Sequence, residues 1–342
     1  MRAVWITRHG GPEVLEVRES PEPVPGPGEV RVRVRAAGLN FSDVMARLGL
    51  YQDGPRLPAV VGYEASGVVE ALGEGASRSR PGERVLVLAP RGCQAEAVVV
   101  PEGQVFSMPD GMSFEEGAAL PVNYLTAYHV LFRLGNLRPG QSLLVHMAAG
   151  GVGTAALQLA RTVPGVTVFG TASAAKHGFL RDSGCDHPID YRAADYAEEV
   201  RRLTSGRGVD LVIDPLGGAD WKKGYRLLRP AGLLVACGFA NLAGGERRSW
   251  LRALRQILQV PRFSPLRLMT ENRGVAGVYL GALWAEAALM TEELHAVLAL
   301  YRQGSVRPRV DSVFPFERAA DAHRRIQERK NVGKVVLVPE VI

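Results

Sequence analysis

The sequence predicts an α/β protein in which a β-rich domain, divided along the chain, surrounds an inserted domain with a doubly wound parallel sheet. In the first third, short β-type runs are separated by Gly and Pro, and valine alternates with arginine over residues 30–36. From about residue 113, strand-like and helix-like segments alternate, as in a parallel sheet covered on both faces. We expect the β-rich domain at residues 1–121 and 284–342 and the inserted domain at 122–283.

Each element has a local signal. The alternation at 30–36 is typical of a half-exposed strand, and Ser113-Phe114-Glu115-Glu116 has the form of a capping box that opens a helix. Further β-type runs are expected at 60–61, 66–71, 84–88, 95–100, 143–146, 167–169, 211–214, 233–237, 275–279 and 334–338. Helical patterns are expected at 153–162, 174–183, 291–303 and 316–329.

Composition limits the classes of function. The chain has 342 residues, a formal charge of +6 and only three cysteines, which excludes a disulfide framework and favours a reducing, cytoplasmic setting. Residues 139–160 carry no charge, but their glycines and polar residues favour a buried strand, a turn and a helix over a membrane span. The basic residues are spread along the chain, and no nucleic-acid motif is present.

The most informative segment is a glycine loop between a strand and a helix. Ala148, Gly150 and Gly153 occupy the three places of a G-x-G-x-x-G pattern, after the apolar run Leu143–Val145. In that pattern the second glycine lets the backbone approach a pyrophosphate, and the third lets the helix pack closely. The loop therefore predicts dinucleotide binding; a tight strand–helix turn without a ligand is the alternative.

The residues that follow indicate which dinucleotide is bound. An NAD site usually has an acidic residue about 20 positions after the loop, yet residues 154–181 contain none. The second strand leads instead to Ser173 and Lys176, a hydroxyl and a cation that suit a 2′-phosphate. NADPH is therefore the expected cofactor. The alternative is that Ser173 caps a helix and Lys176 lies on its solvated face.

Several catalytic arrangements are missing from the sequence. It contains no Tyr-x-x-x-Lys pair, no G-x-S-x-G elbow, no H-E-x-x-H motif and no P-loop. The seven histidines are scattered, and none has a cysteine at metal-ligand spacing. We interpret His146, on the strand before the glycine loop, as a packed core residue rather than an acid.

Two sets of segments carry a family resemblance. The first set is 37–43, 62–67, 148–153, 170–173 and 333–336, and the second is 122–128, 135–137, 187–191, 214–218 and 330–334. The first set resembles the medium-chain dehydrogenase/reductase superfamily, and within it the zinc-free quinone-oxidoreductase (zeta-crystallin-like) branch, and the second resembles the synaptic-vesicle membrane protein homologues of that superfamily. The resemblance covers nearly the whole chain and implies a GroES-like β-rich catalytic domain and an inserted Rossmann domain, with the active site in a cleft between them.

The resemblance also implies that the protein holds no metal. In metal-dependent relatives a cysteine stands at the place of Asn40, a histidine at that of Tyr63 and another cysteine near Asn123. Without thiolate or imidazole ligands, a tetrahedral zinc site cannot assemble. Without a Lewis acid the favourable acceptors are conjugated, because they spread the charge that hydride transfer creates: quinones, enals and enones.

The resemblance implies two groups of site residues. Asn40, Asp43, Tyr51 and Tyr63 are expected near the nicotinamide, with the tyrosines and Asn40 as weak oxyanion stabilisers. Packing for the tyrosines and helix capping for Asp43 are the alternatives. Tyr191 and Lys176 are expected to flank the 2′-phosphate. The positions expected around the dinucleotide are Thr126, Ala149, Gly150, Gly151, Val152, Gly153, Ser173, Lys176, Tyr191, Phe239, Asn241 and Asn331.

Residues 246–273 suggest a second kind of function. Apolar residues at helical spacing are interleaved with arginines there, as in segments that lie on anionic membranes or take up a lipid. The alternatives are that this segment covers the substrate cleft or contacts a partner subunit. A membrane-associated lipid-binding protein that retains NADPH without catalysis is therefore the rival hypothesis. We also expect a homodimer, joined through the edge strand Val275–Tyr279.

Overall fold

The alternation of strands and helices is present in the computed structural model, which describes residues 1–340. The strands are β1 Arg2–Ile6, β2 Leu15–Glu19, β3 Glu29–Leu39, β4 Ala59–Val60, β5 Glu64–Leu72, β6 Arg84–Leu88, β7 Ala97–Pro101, β8 Val105–Ser107, β9 Ser142–Val145, β10 Thr167–Ala172, β11 His187–Asp190, β12 Val209–Asp214, β13 Leu228–Ala236, β14 Gly274–Gly277, β15 Val310–Pro315 and β16 Lys334–Val338. The helices are α1 Phe41–Leu48, α2 Phe114–Ala119, α3 Pro121–Tyr128, α4 Gly151–Ala160, α5 His177–Asp182, α6 Tyr196–Leu203, α7 Ala219–Tyr225, α8 Trp250–Leu258, α9 Pro265–Glu271, α10 Ala287–Arg302 and α11 Ala319–Gln327.

The chain forms two units. The first contains residues 1–125, residues 245–248 and the described chain from Gly281 onward, and the second contains 126–244 and 249–280. Residues 122–125, 245–248 and 281–283, which fall within the predicted inserted domain, thus group with the first unit. The predicted α/β fold class, a β-rich part and a parallel-sheet part, is confirmed.

The first unit is built around a seven-stranded, mainly antiparallel sheet. Its strand order is β15-β16-β3-β5-β6-β8, and β7 also pairs with β3. On β3, Val30, Val32 and Val34 are buried, whereas Arg31 and Arg33 are partly exposed and pair with Glu70. The predicted half-exposed strand is therefore present, with its valines in a core shared with β5, β6 and β7.

The second unit contains a six-stranded parallel sheet in the order β11-β10-β9-β12-β13-β14. All six residues of β12 are buried, as expected for a central strand covered on both faces. The strand order reverses between β9 and β12, which is where doubly wound sheets bind their ligands. The charge-free residues 139–160 form β9, the glycine loop and α4. Within residues 1–340, no helix has the length and apolarity that crossing a bilayer requires.

Local signals in the sequence account for several element boundaries. At the start of α2, the Ser113 hydroxyl accepts a hydrogen bond from the N–H of Glu116, and the Glu116 carboxylate accepts one from the N–H of Ser113. The predicted capping box is thus formed. The segment 246–273 contains two short helices, α8 and α9, which begin after Ser249 and Ser264; each serine accepts from a backbone N–H of its helix.

Candidate active site

The glycine loop turns the chain sharply between β9 and α4. Met147 has a positive φ of 52°, and the N–H of Gly150 donates to the carbonyl of Met147 over 2.8 Å. A Cβ at Gly153 would lie 2.4 Å from the Met147 carbonyl oxygen and 2.6 Å from the backbone of Ala148. Because both obstacles are backbone atoms, only glycine fits at position 153 without moving the loop.

The start of α4 offers an anion site. Its first N–H groups have no intrahelical acceptor, and no side chain caps the helix. A Cβ at Gly150 would lie 3.1 Å from the Met147 oxygen, so this position also lets a ligand approach the backbone closely. The loop, with Ala149, Gly151 and Val152, therefore fits the pyrophosphate of a dinucleotide.

Two of the predicted phosphate-binding residues, Ser173 and Tyr191, follow neighbouring strands of the parallel sheet. Ala172, the last residue of β10, pairs with Asp190, the last residue of β11, so Ser173 and Tyr191 follow adjacent strand ends. Ser173 occupies the N-cap position of the following turn without a side-chain hydrogen bond to it, and Lys176 is partly exposed.

The structure adds a further cation, Arg192, which follows β11 and has no predicted role in the sequence. The Arg192 guanidinium lies 5.8 Å from the centre of the Tyr191 ring, beside a tyrosine that is 37% exposed. An arginine next to Tyr191 is a second group able to bind a 2′-phosphate. The pattern 187–191 ends one residue before it, which is why the prediction stops at Tyr191.

The remaining cofactor candidates lie in different places. Phe239 follows β13, and its ring lies 5.0 Å from the Trp221 ring. The Asn241 amide donates to the Gly217 carbonyl and to Asp220 Oδ2, over 3.2 and 2.9 Å. Thr126 is buried on α3. Asn331 lies in the first unit, where its amide donates to the carbonyl of Gly333.

His146 is a buried residue that directly follows β9 in the second unit. Its Nδ1 lies 3.1 Å from the Thr171 hydroxyl, and its ring packs edge-on against Tyr196. Burial lowers the pKa of His146 below its ordinary value, which keeps the ring neutral. These contacts agree with the interpretation of His146 as a packed core residue.

In the first unit, four polar side chains form one buried group, the Asn40 cluster, made of Asn40, Asp43, Glu64 and Lys334. Asn40 Nδ2 donates to Glu64 Oε1 over 2.8 Å, and Lys334 Nζ donates to Asn40 Oδ1 over 2.6 Å and to Glu64 Oε1. The second Glu64 oxygen accepts from the N–H of Val122. Strand pairing creates the cluster, because β16 and β5 lie on opposite sides of β3.

Asp43 links this cluster to the start of α1. Its Oδ2 accepts from the N–H of Asn40 over 2.7 Å, and its Oδ1 accepts from the N–H of Gly62 over 3.1 Å. Burial raises the pKa of Asp43 to about 7, against the lowering effect of these bonds and of Lys334. Helix capping, one of the alternatives for Asp43, is thus part of its role.

The two predicted tyrosines are neighbours. The ring centres of Tyr51 and Tyr63 lie 6.0 Å apart, and both residues are partly exposed. Tyr51 also packs against the apolar group formed by Ile6, Val14, Ala46 and Val61. Tyr63 adjoins Gly62 and Glu64, so the structure brings all four predicted catalytic residues to one region of the first unit.

The donor set does not fit a zinc ion. Asn40 carries a carboxamide whose oxygen accepts from an ammonium group, Tyr63 carries a phenol, and Asn123 donates to the Ala119 carbonyl. The Lys334 ammonium donates to the Asn40 oxygen, so a positive charge already lies at the atom that a metal ion would have to bind. Among the described residues, no three His, Cys, Asp or Glu side chains are grouped for a metal.

Sequence reasoning missed Glu64 and Lys334 as site residues. Both stood within quoted motifs, 62–67 and 333–336, but neither carried a predicted role. Lys334 is 270 positions away from Glu64, so only the pairing of β16, β3 and β5 reveals the contact.

Two protein families match parts of the chain. Residues 26–110 match the family described as the alcohol dehydrogenase GroES-like domain. Residues 183–337 match the family described as zinc-binding dehydrogenase. The first match lies in the unit that holds the Asn40 cluster.

Known proteins and solved structures extend the match to the whole chain. The synaptic vesicle membrane protein VAT-1 homolog of Rattus norvegicus is 52% identical over 99% of this chain and 84% of its own length. The human VAT-1 homolog-like structure has a TM-score of 0.87 at 39% identity, over 100% of this chain and 99% of that one. The Escherichia coli quinone oxidoreductase complexed with NADPH has a TM-score of 0.87 at 28% identity, over 99% and 100%. The chain therefore belongs to the medium-chain dehydrogenase/reductase superfamily, an oxidoreductase superfamily, with VAT-1 homologues as close relatives and quinone oxidoreductases as structural neighbours.

Proposed function

We propose that the protein is an NADPH-dependent, zinc-independent oxidoreductase that transfers hydride to quinones or other conjugated carbonyls. The observation that carries the proposal is the glycine loop: Gly153 lies against the Met147–Ala148 backbone, at the start of a helix without a side-chain cap. This arrangement accommodates a pyrophosphate close to backbone N–H groups. A relative of the same fold is described as complexed with NADPH.

The choice of NADPH over NADH rests on charge. Ser173, Lys176, Tyr191 and Arg192 follow the ends of β10 and β11, and no acidic residue occurs in 154–181. A 2′-phosphate gains charge-assisted hydrogen bonds from such a group, whereas a ribose 2′-hydroxyl lacks its usual carboxylate partner.

The substrate class follows from the Asn40 cluster. When bound, NADPH would supply a hydride, and the acceptor takes this hydride and a proton from water to give a hydroquinone or a saturated carbonyl. Asn40 and the two tyrosines are neutral hydrogen-bonding groups, weaker than a metal ion at stabilising an isolated alkoxide. Acceptors that delocalise the charge by conjugation therefore suit this site.

The activity test uses matched acceptors. We expect the protein to oxidise NADPH with 9,10-phenanthrenequinone and with 2-cyclohexen-1-one, but not with cyclohexanone, which lacks the conjugated double bond. The consumption of NADPH is followed by absorbance. No turnover with quinones and enones, combined with tight NADPH binding, would contradict the enzyme and favour the rival hypothesis.

The rival, a membrane-associated lipid-binding protein, is supported by one observation. Helices α8 and α9 expose large apolar side chains, among them Leu251 at 82% and Leu258 at 77%. Exposed arginines alternate with them, namely Arg252, Arg255, Arg262 and Arg267. Such a surface combines apolar insertion with attraction to anionic headgroups.

Liposome co-sedimentation tests this rival. We expect Leu251→Glu to reduce binding to phosphatidylserine-containing vesicles if α8 inserts. Val24→Glu is the matched control, because Val24 is equally exposed, at 82%, but lies outside the segment. Equal binding of the two variants would exclude insertion of α8.

We also propose a homodimer joined through β14. This strand lies at the end of the six-stranded sheet and pairs with β13 on one side, so its outer edge can pair with a second copy. Light scattering should then give about twice the chain mass of 36.9 kDa. A monomeric mass would exclude the dimer.

We propose that the protein is located in the cytoplasm. Cys93, Cys185 and Cys237 are all free thiols. Unpaired cysteines suit a reducing compartment. Fractionation of cells that express the protein tests this location.

A further inference from the structure

Two buried charged groups set the direction of the Asn40 carboxamide. Its oxygen accepts from the Lys334 ammonium over 2.6 Å, and its nitrogen donates to the Glu64 carboxylate over 2.8 Å. A flipped amide would place its NH2 group against the ammonium and its oxygen against the carboxylate. Both contacts would be repulsive, so one orientation is enforced.

Counting donors and acceptors leaves only N–H groups for a ligand. One N–H of Asn40 is taken by Glu64, and the other has no acceptor among the described residues. The carboxylates of Glu64 and Asp43 are fully buried, and each of their oxygens already accepts a hydrogen bond. Asn40, by contrast, retains 8% exposure. The cluster therefore offers a donor and no acceptor.

We propose that Lys334 and Glu64 are positioning residues that hold Asn40 as an N–H donor to the carbonyl oxygen of the acceptor substrate. This inference rests on the proposed function. As hydride reaches the conjugated acceptor, negative charge develops on that oxygen, and the N–H of Asn40 stabilises it. The ammonium on Oδ1 strengthens this donor, because linked hydrogen bonds polarise one another.

The energetics of the cluster agree with a positioning role. Lys334 is 3% exposed and Glu64 is not exposed at all, so both charges are removed from water. A buried ion pair often stabilises a fold no better than apolar residues of the same volume would. Two apolar residues could not fix the orientation of the Asn40 carboxamide, because they would offer it neither a hydrogen-bond donor nor an acceptor.

The direct test removes the donor. In Asn40→Ala we expect kcat with 9,10-phenanthrenequinone to fall about 100-fold, as for other donors to a developing oxyanion. The Kd for NADPH, measured by fluorescence, should stay within about twofold. The primary isotope effect with 4-deuterated NADPH should rise, because hydride transfer becomes slower relative to the other steps. An unchanged kcat, or a loss confined to NADPH affinity, overturns the proposal.

A paired variant separates positioning from stability. Lys334→Met alone leaves the Glu64 charge buried without a partner, which can prevent folding. Lys334→Met combined with Glu64→Gln removes both charges, so we expect Tm to recover to near the parent value. The carboxamide of Asn40 is then no longer held in one orientation, and kcat should remain at least tenfold below the parent. Recovery of both Tm and kcat would mean that the pair is purely structural.

The matched control removes an ion pair elsewhere in the same unit. Arg2 Nε and Glu96 Oε1 lie 2.7 Å apart, on and beside the first strand. In Arg2→Met combined with Glu96→Gln, we expect a change in Tm with kcat unchanged. A similar loss of kcat in this control would attribute the effect to general destabilisation and overturn the proposal.

A binding readout separates this inference from the proposed function. Dicoumarol, a conjugated carbonyl compound, serves as a probe in calorimetry with NADP⁺ present and without turnover. If the parent protein shows no turnover but binds dicoumarol at least tenfold more tightly than Asn40→Ala does, the enzyme fails and the donor assignment stands. If the parent turns over acceptors while Asn40→Ala binds and reacts equally well, the donor assignment fails alone. Absence of both binding and turnover overturns both.

Discussion

Gly38, on β3, lies against the side chain of Glu64, on the neighbouring strand β5. A Cβ at position 38 would lie 2.7 Å from Glu64 Cγ and 2.3 Å from the Ala118 carbonyl oxygen. The absence of a side chain at Gly38 therefore makes room for the buried carboxylate that holds Asn40 and Lys334. The glycine at position 38 thus supports the contact between Glu64 and Lys334, which are far apart in sequence.

Gly38→Ala should accordingly destabilise the protein. We expect a loss of about 1–3 kcal/mol in the free energy of unfolding, because the added methyl meets backbone on one side and Glu64 on the other. Urea unfolding measures this loss. Gly103→Ala is the control, since a Cβ there has nothing within 4 Å. Equal stability of the two variants would contradict the packing argument.

Gly153→Ala should impair binding of NADPH. The new methyl would meet backbone atoms at 2.4–2.6 Å, so the loop must move away from its binding geometry. We expect the Kd for NADPH to rise at least about tenfold, a loss of about 1.4 kcal/mol. Gly178→Ala, in α5 with open space around it, should bind NADPH as the parent does. Fluorescence titration of both variants checks this.

Lys176→Ala should reduce affinity for NADPH but not for NADH. Loss of one charge-assisted contact to the 2′-phosphate costs about 1.5–3 kcal/mol. Lys222→Ala, on an exposed position of α7, is the matched control. An NADPH affinity within twofold of the parent in Lys176→Ala would refute the assignment.

The stability of the protein should depend on pH through Asp43. The pKa of Asp43 is about 7 when folded, against an ordinary value of 3.8. Between these values the folded state keeps a proton that the unfolded chain releases, so this contribution to stability is present at low pH and is lost as pH rises through about 7. From about pH 5 to pH 8, the stability of the parent relative to Asp43→Asn should fall by about 3 kcal/mol. A difference that is constant with pH in urea unfolding would contradict this.

Elemental analysis of the purified protein should find no stoichiometric zinc. The Asn40 oxygen faces an ammonium group, and Tyr63 and Asn123 offer no thiolate or imidazole. One zinc per chain, retained after dialysis against a chelator, would overturn the zinc-independent proposal.

Features that depend on neighbouring residues could be predicted from the sequence. The valine–arginine alternation of β3, the capping box at Ser113 and the strand–loop–helix around Gly150 all formed as expected. The charge-free residues 139–160 also form the expected strand, turn and helix, and the run is divided between β9 and α4 by the loop that follows Val145. In each case the determining interactions span a few positions, so the local sequence carries the information.

The resemblance to a known family supplied what spacing could not. It selected Asn40, Asp43, Tyr51 and Tyr63, and the structure brings them to one region of the first unit. It did not select Arg192, because the quoted motif ended at Tyr191. Neither the exposure of Leu251 nor that of Leu258 could be derived from helical spacing, because an apolar stripe predicts a buried face as readily as an exposed one.

The sequence alone determined the order of strands and helices, the glycine turn and the absence of a thiolate or imidazole at positions 40, 63 and 123, because these depend on residue type and short-range backbone geometry. Only the tertiary structure decided that Lys334 reaches Asn40 across 294 positions and that both share Glu64. That contact exists because β16, β3 and β5 lie side by side, and strand pairing over such separations follows from the packing of the whole sheet rather than from any local pattern.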